Sequence, residues 1–306
     1  MHFECPFTPA DVQRADQVAV TPSIYANATF EGIRALRVFS EAYLRPLLQG
    51  LLTTTVRETA VLGLYYRLAA YLASVRKLDG TIHFQSIAAG SRSVFELALD
   101  LALLASDSTT DSVDRIIAFT RVERYRVAKR LVDFYDAHAL PADLNLTTQR
   151  QICADPGEAA QVEALILQYW GRMRNGSPNL PKHWSRLPDA RTRARQVGQA
   201  WEERYVRHYN LLSWHVHSGL VGVTGLTQDL FDVFVADAHR LARDSALDAY
   251  SIVGNELHLA QAIEQWHEKF EFLRNVSGFA LVDFRLHALG QSLRFGYLEE
   301  HERNVV

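Results

Sequence analysis

The stretch that decides the fold is Gly90–Ala105, which reads GSRSVFELALDLALLA. From Val94 onward every residue in it is apolar except Glu96 and Asp100. Arg92, Glu96 and Asp100 are spaced four residues apart, so they form one stripe on an α-helix. A helix with so little polar surface is largely buried, and buried charges need partners. The stretch therefore predicts a core helix with one charged stripe, which is either a functional cluster or a half-exposed solvated face.

Helical periodicity continues on both sides of this stretch. It predicts helices at about 31–50 (interrupted near Pro46), 55–78, 84–105, 113–138, 158–172, 189–218, 228–249, 256–274 and 281–294. Residues 139–156 are predicted to be a connector. No segment alternates apolar and polar residues as a strand does. We therefore predict an all-α, compact multi-helix bundle of eight to ten helices without significant sheet.

Three segments are predicted along this bundle. Residues 1–30 form an N-terminal extension, residues 31–225 a helical core domain, and residues 226–306 C-terminal helices packed on that core. The two long loops predicted, at 139–156 and 174–181, do not have the Gly/Ser composition of a flexible linker.

The overall composition excludes several classes of protein. The 306 residues are 48% hydrophobic and 22% charged, which is ordinary for a soluble globular protein. The net charge of −3 argues against nucleic-acid binding by bulk charge. A mean hydropathy of −0.10 and the absence of a long apolar run argue against membrane insertion. Two cysteines, Cys5 and Cys153, make no disulfide framework, and the first residues do not resemble a signal peptide, so we expect a cytoplasmic protein.

A second polar stripe is predicted on the helix at 189–218. Tyr209, Ser213 and His217 are again spaced four residues apart, so they share one face. The pKa of a free imidazole lies near neutrality, so His217 is a candidate general acid or base. A Ser–His pair one turn apart is also a common polar contact within a core, and this alternative stays open.

These two stripes carry a resemblance to a known family. An Arg-small-x-x-Glu helix is followed, about a hundred residues later, by a Trp, a basic stretch and a Tyr-x-x-x-Ser-x-x-Val-His helix. The matching residues are Arg92, Ser93, Glu96, Trp184, Tyr209, Ser213, Val216 and His217. Over about residues 30–220 the chain resembles a bacterial all-helical family catalogued as a domain of unknown function. The resemblance implies a cytoplasmic helical bundle in which the Arg, Glu and His meet in one polar cluster.

Two classes of function follow from this cluster. The first is an enzyme, a hydrolase or nuclease-like effector of the kind used in bacterial defence or as a toxin. In it His217 moves the proton, Arg92 holds an anionic oxygen and Glu96 orients one of those two side chains, while Ser213 and Tyr209 position the substrate. The second is a non-enzymatic helical scaffold or partner-binding protein, in which the same residues form a buried network. The sequence specifies no cofactor.

A basic stretch adds a candidate nucleic-acid interface. Its arginines are Arg191, Arg193, Arg195, Arg204 and Arg207. Aromatic residues interleave with them, and arginines bind phosphates while aromatic rings stack on bases. A charge run is more often a solvated helix face. The partners considered are therefore RNA or another phosphate-containing ligand, a protein partner and a second copy of the chain in a homodimer, with no membrane.

A metal-dependent oxidase is the second alternative. Glu264-x-x-His267 has the spacing found in diiron helical bundles. Asp283-x-x-x-His287 resembles the last-helix motif of haem-oxygenase-like diiron proteins, and Glu96 and Asp100 would complete the carboxylates. Solvated helix faces explain the same residues more simply, so no metal ligand is assigned.

Overall fold

Helices make up the regular structure of the described residues, apart from one isolated bridge between Arg172 and Pro178. The structure is a computed structural model that describes residues 5–53, 55–78, 83–107, 111–139, 141–216 and 227–294, without the side chains of 214–216. The helices are α1 (Pro9–Ala15), α2 (Pro22–Phe39), α3 (Arg45–Gln49), α4 (Val56–Lys77), α5 (Phe84–Ser106), α6 (Asp111–Ala137), α7 (Leu144–Ala154), α8 (Pro156–Tyr169), α9 (Ala190–Val197), α10 (Gln199–Arg204), α11 (Asn210–Val216), α12 (Gln228–Glu256) and α13 (Trp266–Ala288). π-Helical turns lie at Ser40–Leu44 and Tyr205–Tyr209, and a 3₁₀ turn lies at Leu259–Gln261. The predicted all-α fold class is confirmed.

The chain divides into two units, residues 1–106 with 194–306 and residues 107–193. In the first unit α5 packs against α12, α4 and α11, while α2 packs against α12 and α13. Its core is built from large apolar and aromatic side chains that are almost fully buried, among them Phe39, Tyr65, Phe95 and Tyr250. The predicted boundaries at residues 30 and 225 stay a prediction.

The second unit is built from α6, α7 and α8 and the irregular segment that follows them. α6 packs against both other helices. Val122, Val162 and Ile166 form its core, with Tyr125, Leu165 and Trp170 packed on them. Arg121 of α6 binds the buried carboxylate of Glu158 at the start of α8, its Nε 3.0 Å from Oε1.

Several predicted helix limits are wrong, for local reasons. Residues 139–156 contain α7 rather than only a connector, because the Asp143 carboxylate accepts from the Leu146 N–H at 2.7 Å and caps the helix. The helices predicted at 256–274 and 281–294 are replaced by the single helix α13, whose buried face continues through Val276 and Ala280. The helix predicted at 189–218 is interrupted at Gly198, where φ is +151°.

Within the part of the chain that the structure describes, no helix combines the length and the apolarity needed to cross a bilayer.

Candidate functional site

Arg92, Glu96 and Tyr209 meet in one cluster, called the triad below. Arg92 and Glu96 lie one turn apart on α5, and Tyr209 ends the π-helical turn that precedes α11. Arg92 Nη2 donates to the Tyr209 hydroxyl oxygen at 3.0 Å, and that hydroxyl donates to Glu96 Oε1. Within the described residues Arg92 and Glu96 form no direct ion pair, so the phenol bridges the two charges.

Tyr209 is held by its ring as well as by its hydroxyl. The ring centroid lies 5.1 Å from that of Phe95 and 5.0 Å from that of Tyr205, and the Arg92 guanidinium carbon lies 4.7 Å from it. Burial, followed by the hydrogen bond to Glu96, raises the pKa of Tyr209 to about 12. The phenol therefore stays protonated at neutral pH. It acts as a hydrogen-bond bridge and not as a nucleophile or base.

Arg92 retains an unused donor. Its Nε is buried and has no hydrogen-bond partner among the described residues, although the side chain as a whole is half-buried. A buried donor without a partner is uncommon in proteins and calls for a water or a ligand. The guanidinium is always charged, so the group that it suits best is an anionic oxygen.

Two side-chain contacts link α12 to the end of α10 and to the π-helical turn that follows it. In the turn the Asn210 N–H bonds to the Tyr205 carbonyl, five residues back. Arg204 binds Asp248 of α12 at 2.7 Å, and His208 Nδ1 lies 3.4 Å from Asp237 Oδ1. The second contact is within ion-pair distance but does not meet hydrogen-bond geometry, since Nδ1 is buried without a partner. π-Turns occur frequently at functional sites.

The remaining predicted site residues are only partly described. Ser213 lies one turn after Tyr209 on α11, is half-buried, and makes no hydrogen bond to the triad within the described residues. His217 lies outside the described residues. His208 and Asp237 were not among the predicted site residues, because no local pattern in the sequence indicates a contact between residues on different helices. The sequence did show a histidine directly before Tyr209, and this was the signal that could have found His208.

The basic stretch does not form an uncompensated positive face. Arg193 is buried, and its Nη1 lies 2.8 Å from His183 Nε2. The partners of the others are carboxylates: Glu202 for Arg195, Asp248 for Arg204 and Glu203 for Arg207. Arg191 is exposed on α9. Nucleic-acid binding by these five residues stays a prediction.

The residues of the diiron hypothesis do not assemble. Glu264 precedes α13, which begins at Trp266, so Glu264 and His267 are not one turn apart on a helix. Both oxygens of buried Asp283 accept from the Arg294 N–H, at 3.0 and 2.8 Å. Among the described residues no three His, Cys, Asp or Glu side chains are grouped closely enough to hold a metal ion.

Both helices of the triad lie within one family match. The model of a family of unknown function, DUF5677, matches residues 58–231. The chain belongs to this family. The DUF5677 match covers more than half of the chain and contains α5, the π-helical turn and α11. It confirms the resemblance to an uncharacterised family. No curated protein and no solved structure is significantly similar to the chain.

Proposed function

We propose that this protein is a hydrolase or nuclease-like effector that acts on a phosphate-containing substrate, with the triad as its anion-binding site. The observation that carries the proposal is the buried, unpartnered Nε of Arg92, beside a guanidinium that Tyr209 already holds in place. Preorganised donors are effective in catalysis because they need no rearrangement during the reaction. RNA is the phosphate-containing substrate of the nuclease form of this proposal.

Each residue then has one task. Arg92 binds the anionic oxygen through its unused Nε–H group. Tyr209 and Glu96 are positioning residues, because the phenol holds Arg92 and the carboxylate holds the phenol. His217, four residues after Ser213 in the sequence, carries the proton, and Ser213 positions the substrate. A bacterial defence or toxin role, and a cytoplasmic location, belong to the same proposal.

A non-enzymatic scaffold or partner-binding protein is the second candidate. The observation that favours it is that Tyr209 is 7% exposed and that its hydroxyl accepts from Arg92 and donates to Glu96. Buried polar networks also serve to fix a unique core. In this case the triad contributes to stability and no turnover is expected.

The test is hydrolysis of bis(p-nitrophenyl) phosphate, p-nitrophenyl phosphate and a fluorescent single-stranded RNA. The wild type is compared with Arg92→Gln and with Arg45→Gln, a matched control whose exposed arginine pairs with Glu41 outside the triad and the basic stretch. We expect turnover of at least one substrate. Arg92→Gln should lower kcat/KM by about 100-fold or more, as loss of a transition-state donor does, and Arg45→Gln should leave it within about twofold, as expected of a surface pair.

Two results would contradict the enzymatic proposal. One is a folded wild-type protein that turns over none of these substrates. The other is equal kcat/KM values for Arg92→Gln and Arg45→Gln. In either case, a large loss of unfolding free energy in Arg92→Gln would favour the scaffold.

A further inference from the structure

A cleft of about 700 Å³ lies within the second unit and contains none of the triad residues. Small-molecule sites typically enclose about 300–1,000 Å³, so the cleft has the right size for one. It is formed by α6, α8 and the segment after α8.

The floor and mouth of the cleft are apolar. Val162 and Ile166 are 4% exposed and belong to the core of the unit, which makes the floor rigid. Met173 and Leu180 remain 47% and 51% exposed at the mouth. Large apolar side chains that surround a concave surface and stay in water mark a binding site more often than scattered ones do.

The segment that carries Met173 and Leu180 is fixed by its own backbone. The Met173 N–H donates to the Ser177 carbonyl at 2.8 Å, and the Asn179 N–H donates to the Gly171 carbonyl at 2.9 Å. Gly176 supplies the positive φ of +83° that the turn requires. These backbone hydrogen bonds hold the segment in the conformation in which Met173 and Leu180 are exposed.

The rim of the cleft carries more positive than negative charge. Arg126, Lys129 and Arg130 line it, against Asp133 and Glu163. Arg126 is committed to Glu123 and to the Pro181 carbonyl at 3.0 Å, and Lys129 to Asp133 at 3.0 Å. The side chains of Arg130 and Glu163 form no hydrogen bond or ion pair within the described residues. Arg130 is thus the cation that is available to an incoming ligand.

We propose that this cleft binds a small amphipathic carboxylate, with a fatty acid of medium chain length as its chemical type. The alkyl chain lies on Val162 and Ile166 between Met173 and Leu180. The carboxylate binds Arg130, the rim cation that is not paired with a carboxylate within the described residues. Neither the triad nor the family match implies this site, and it stands independently of the proposed hydrolase.

The test is isothermal titration calorimetry of the full chain with octanoate, decanoate and dodecanoate below their micelle-forming concentrations. We expect the dissociation constant to fall by up to about fourfold for every methylene that becomes buried. Arg130→Ala should raise the dissociation constant for decanoate by about fivefold, and Leu180→Asn by a similar factor through lost apolar contact. Arg124→Ala and Leu144→Asn, exposed outside the cleft, are the matched controls and should bind as the wild type does.

Decylamine and decanol complete the design. The proposal requires decanoate to bind more tightly than either, and Glu163→Gln to bind decanoate at least as tightly as the wild type. It is overturned by tighter binding of the amine, by an affinity independent of chain length, or by equal affinities of Arg130→Ala and Arg124→Ala. Sedimentation velocity of the wild type and of Leu180→Asn tests one more alternative. A wild-type dimer that Leu180→Asn abolishes would mean that a second copy of the chain covers the cleft, and this result would also overturn the proposal.

Discussion

The hydroxyl oxygen of Tyr209 links Arg92 to Glu96 within the triad. Tyr209→Phe removes that oxygen and keeps the ring packing on Phe95 and Tyr205. Arg92 and Glu96 then each lose a hydrogen bond, so we expect the free energy of unfolding to fall by about 1–3 kcal/mol. Urea denaturation measures it, with Tyr71→Phe on the exposed face of α4 as a control that should change little. Equal stability of the two variants would mean that the bridge contributes nothing.

Protonation of His239 should lower the stability of the protein in acid. It is 3% exposed on α12, and neither ring nitrogen has a hydrogen-bond partner among the described residues. Burial lowers its pKa from 6.5 to about 4. The unfolded chain therefore binds a proton between pH 6.5 and 4 that the folded chain does not, so the stability contributed by neutral His239 is lost as pH falls through this window. The full loss is about 3 kcal/mol.

His239→Leu should remove this acid dependence. Leucine has a similar volume and no nitrogen to protonate, so the stability at pH 7 should change by about 1 kcal/mol or less. Urea unfolding at pH 7 and pH 4.5 separates the two effects. The exposed His267→Gln should retain the wild-type loss; an equal loss in His239→Leu would show that other groups cause it.

At the scale of the elements, glycines set how closely helices approach. A Cβ on Gly254 of α12 would lie 2.5 Å from the Trp266 ring, which is itself packed on Phe270. Gly254→Ala should therefore destabilise the fold by about 1–3 kcal/mol. This loss exceeds the stabilisation that the higher helix propensity of alanine provides. Gly63 of α4 has nothing within 4 Å of the same position. Gly63→Ala should stabilise by up to about 1 kcal/mol, and thermal unfolding of both variants measures the contrast.

The sequence predicted long helices better than their ends. The apolar period of α4, α5 and α6 extends over several turns, so these three helices were located to within a few residues. α7 was missed because a single cap at Asp143, and not an apolar period, defines it. The π-helical turn at Tyr205–Tyr209 has no sequence pattern of its own, since it forms where contacts with α12 and α5 hold the backbone.

At the scale of the whole molecule, the candidate site was predictable in part. The four-residue spacing of Arg92 and Glu96 indicated one face of one helix, and the DUF5677 match spans both parts of the triad. Tyr209 lies between these two charges although it is more than a hundred residues away in the sequence. Its position depends on tertiary packing, which the spacing of residues along the chain does not encode. The same limit applies to the basic stretch, since the pairing of Arg204 with Asp248 of α12 is a tertiary contact.

The effector proposal makes a prediction for the whole molecule in a cell. Inducing the wild-type chain in a bacterial host should stop growth, and Arg92→Gln and His217→Ala should not, at matched soluble expression. The physical reason is that both variants remove a group needed for turnover, the anion-binding guanidinium or the proton carrier. Arg45→Gln, which changes an exposed arginine outside the triad and the basic stretch, should remain as toxic as the wild type, and RNA integrity in the arrested cells identifies the substrate. If all four proteins arrest growth equally, the toxicity does not come from the triad. If none of them does, the effector role loses its support, and the binding of a protein partner becomes the better account of the same residues.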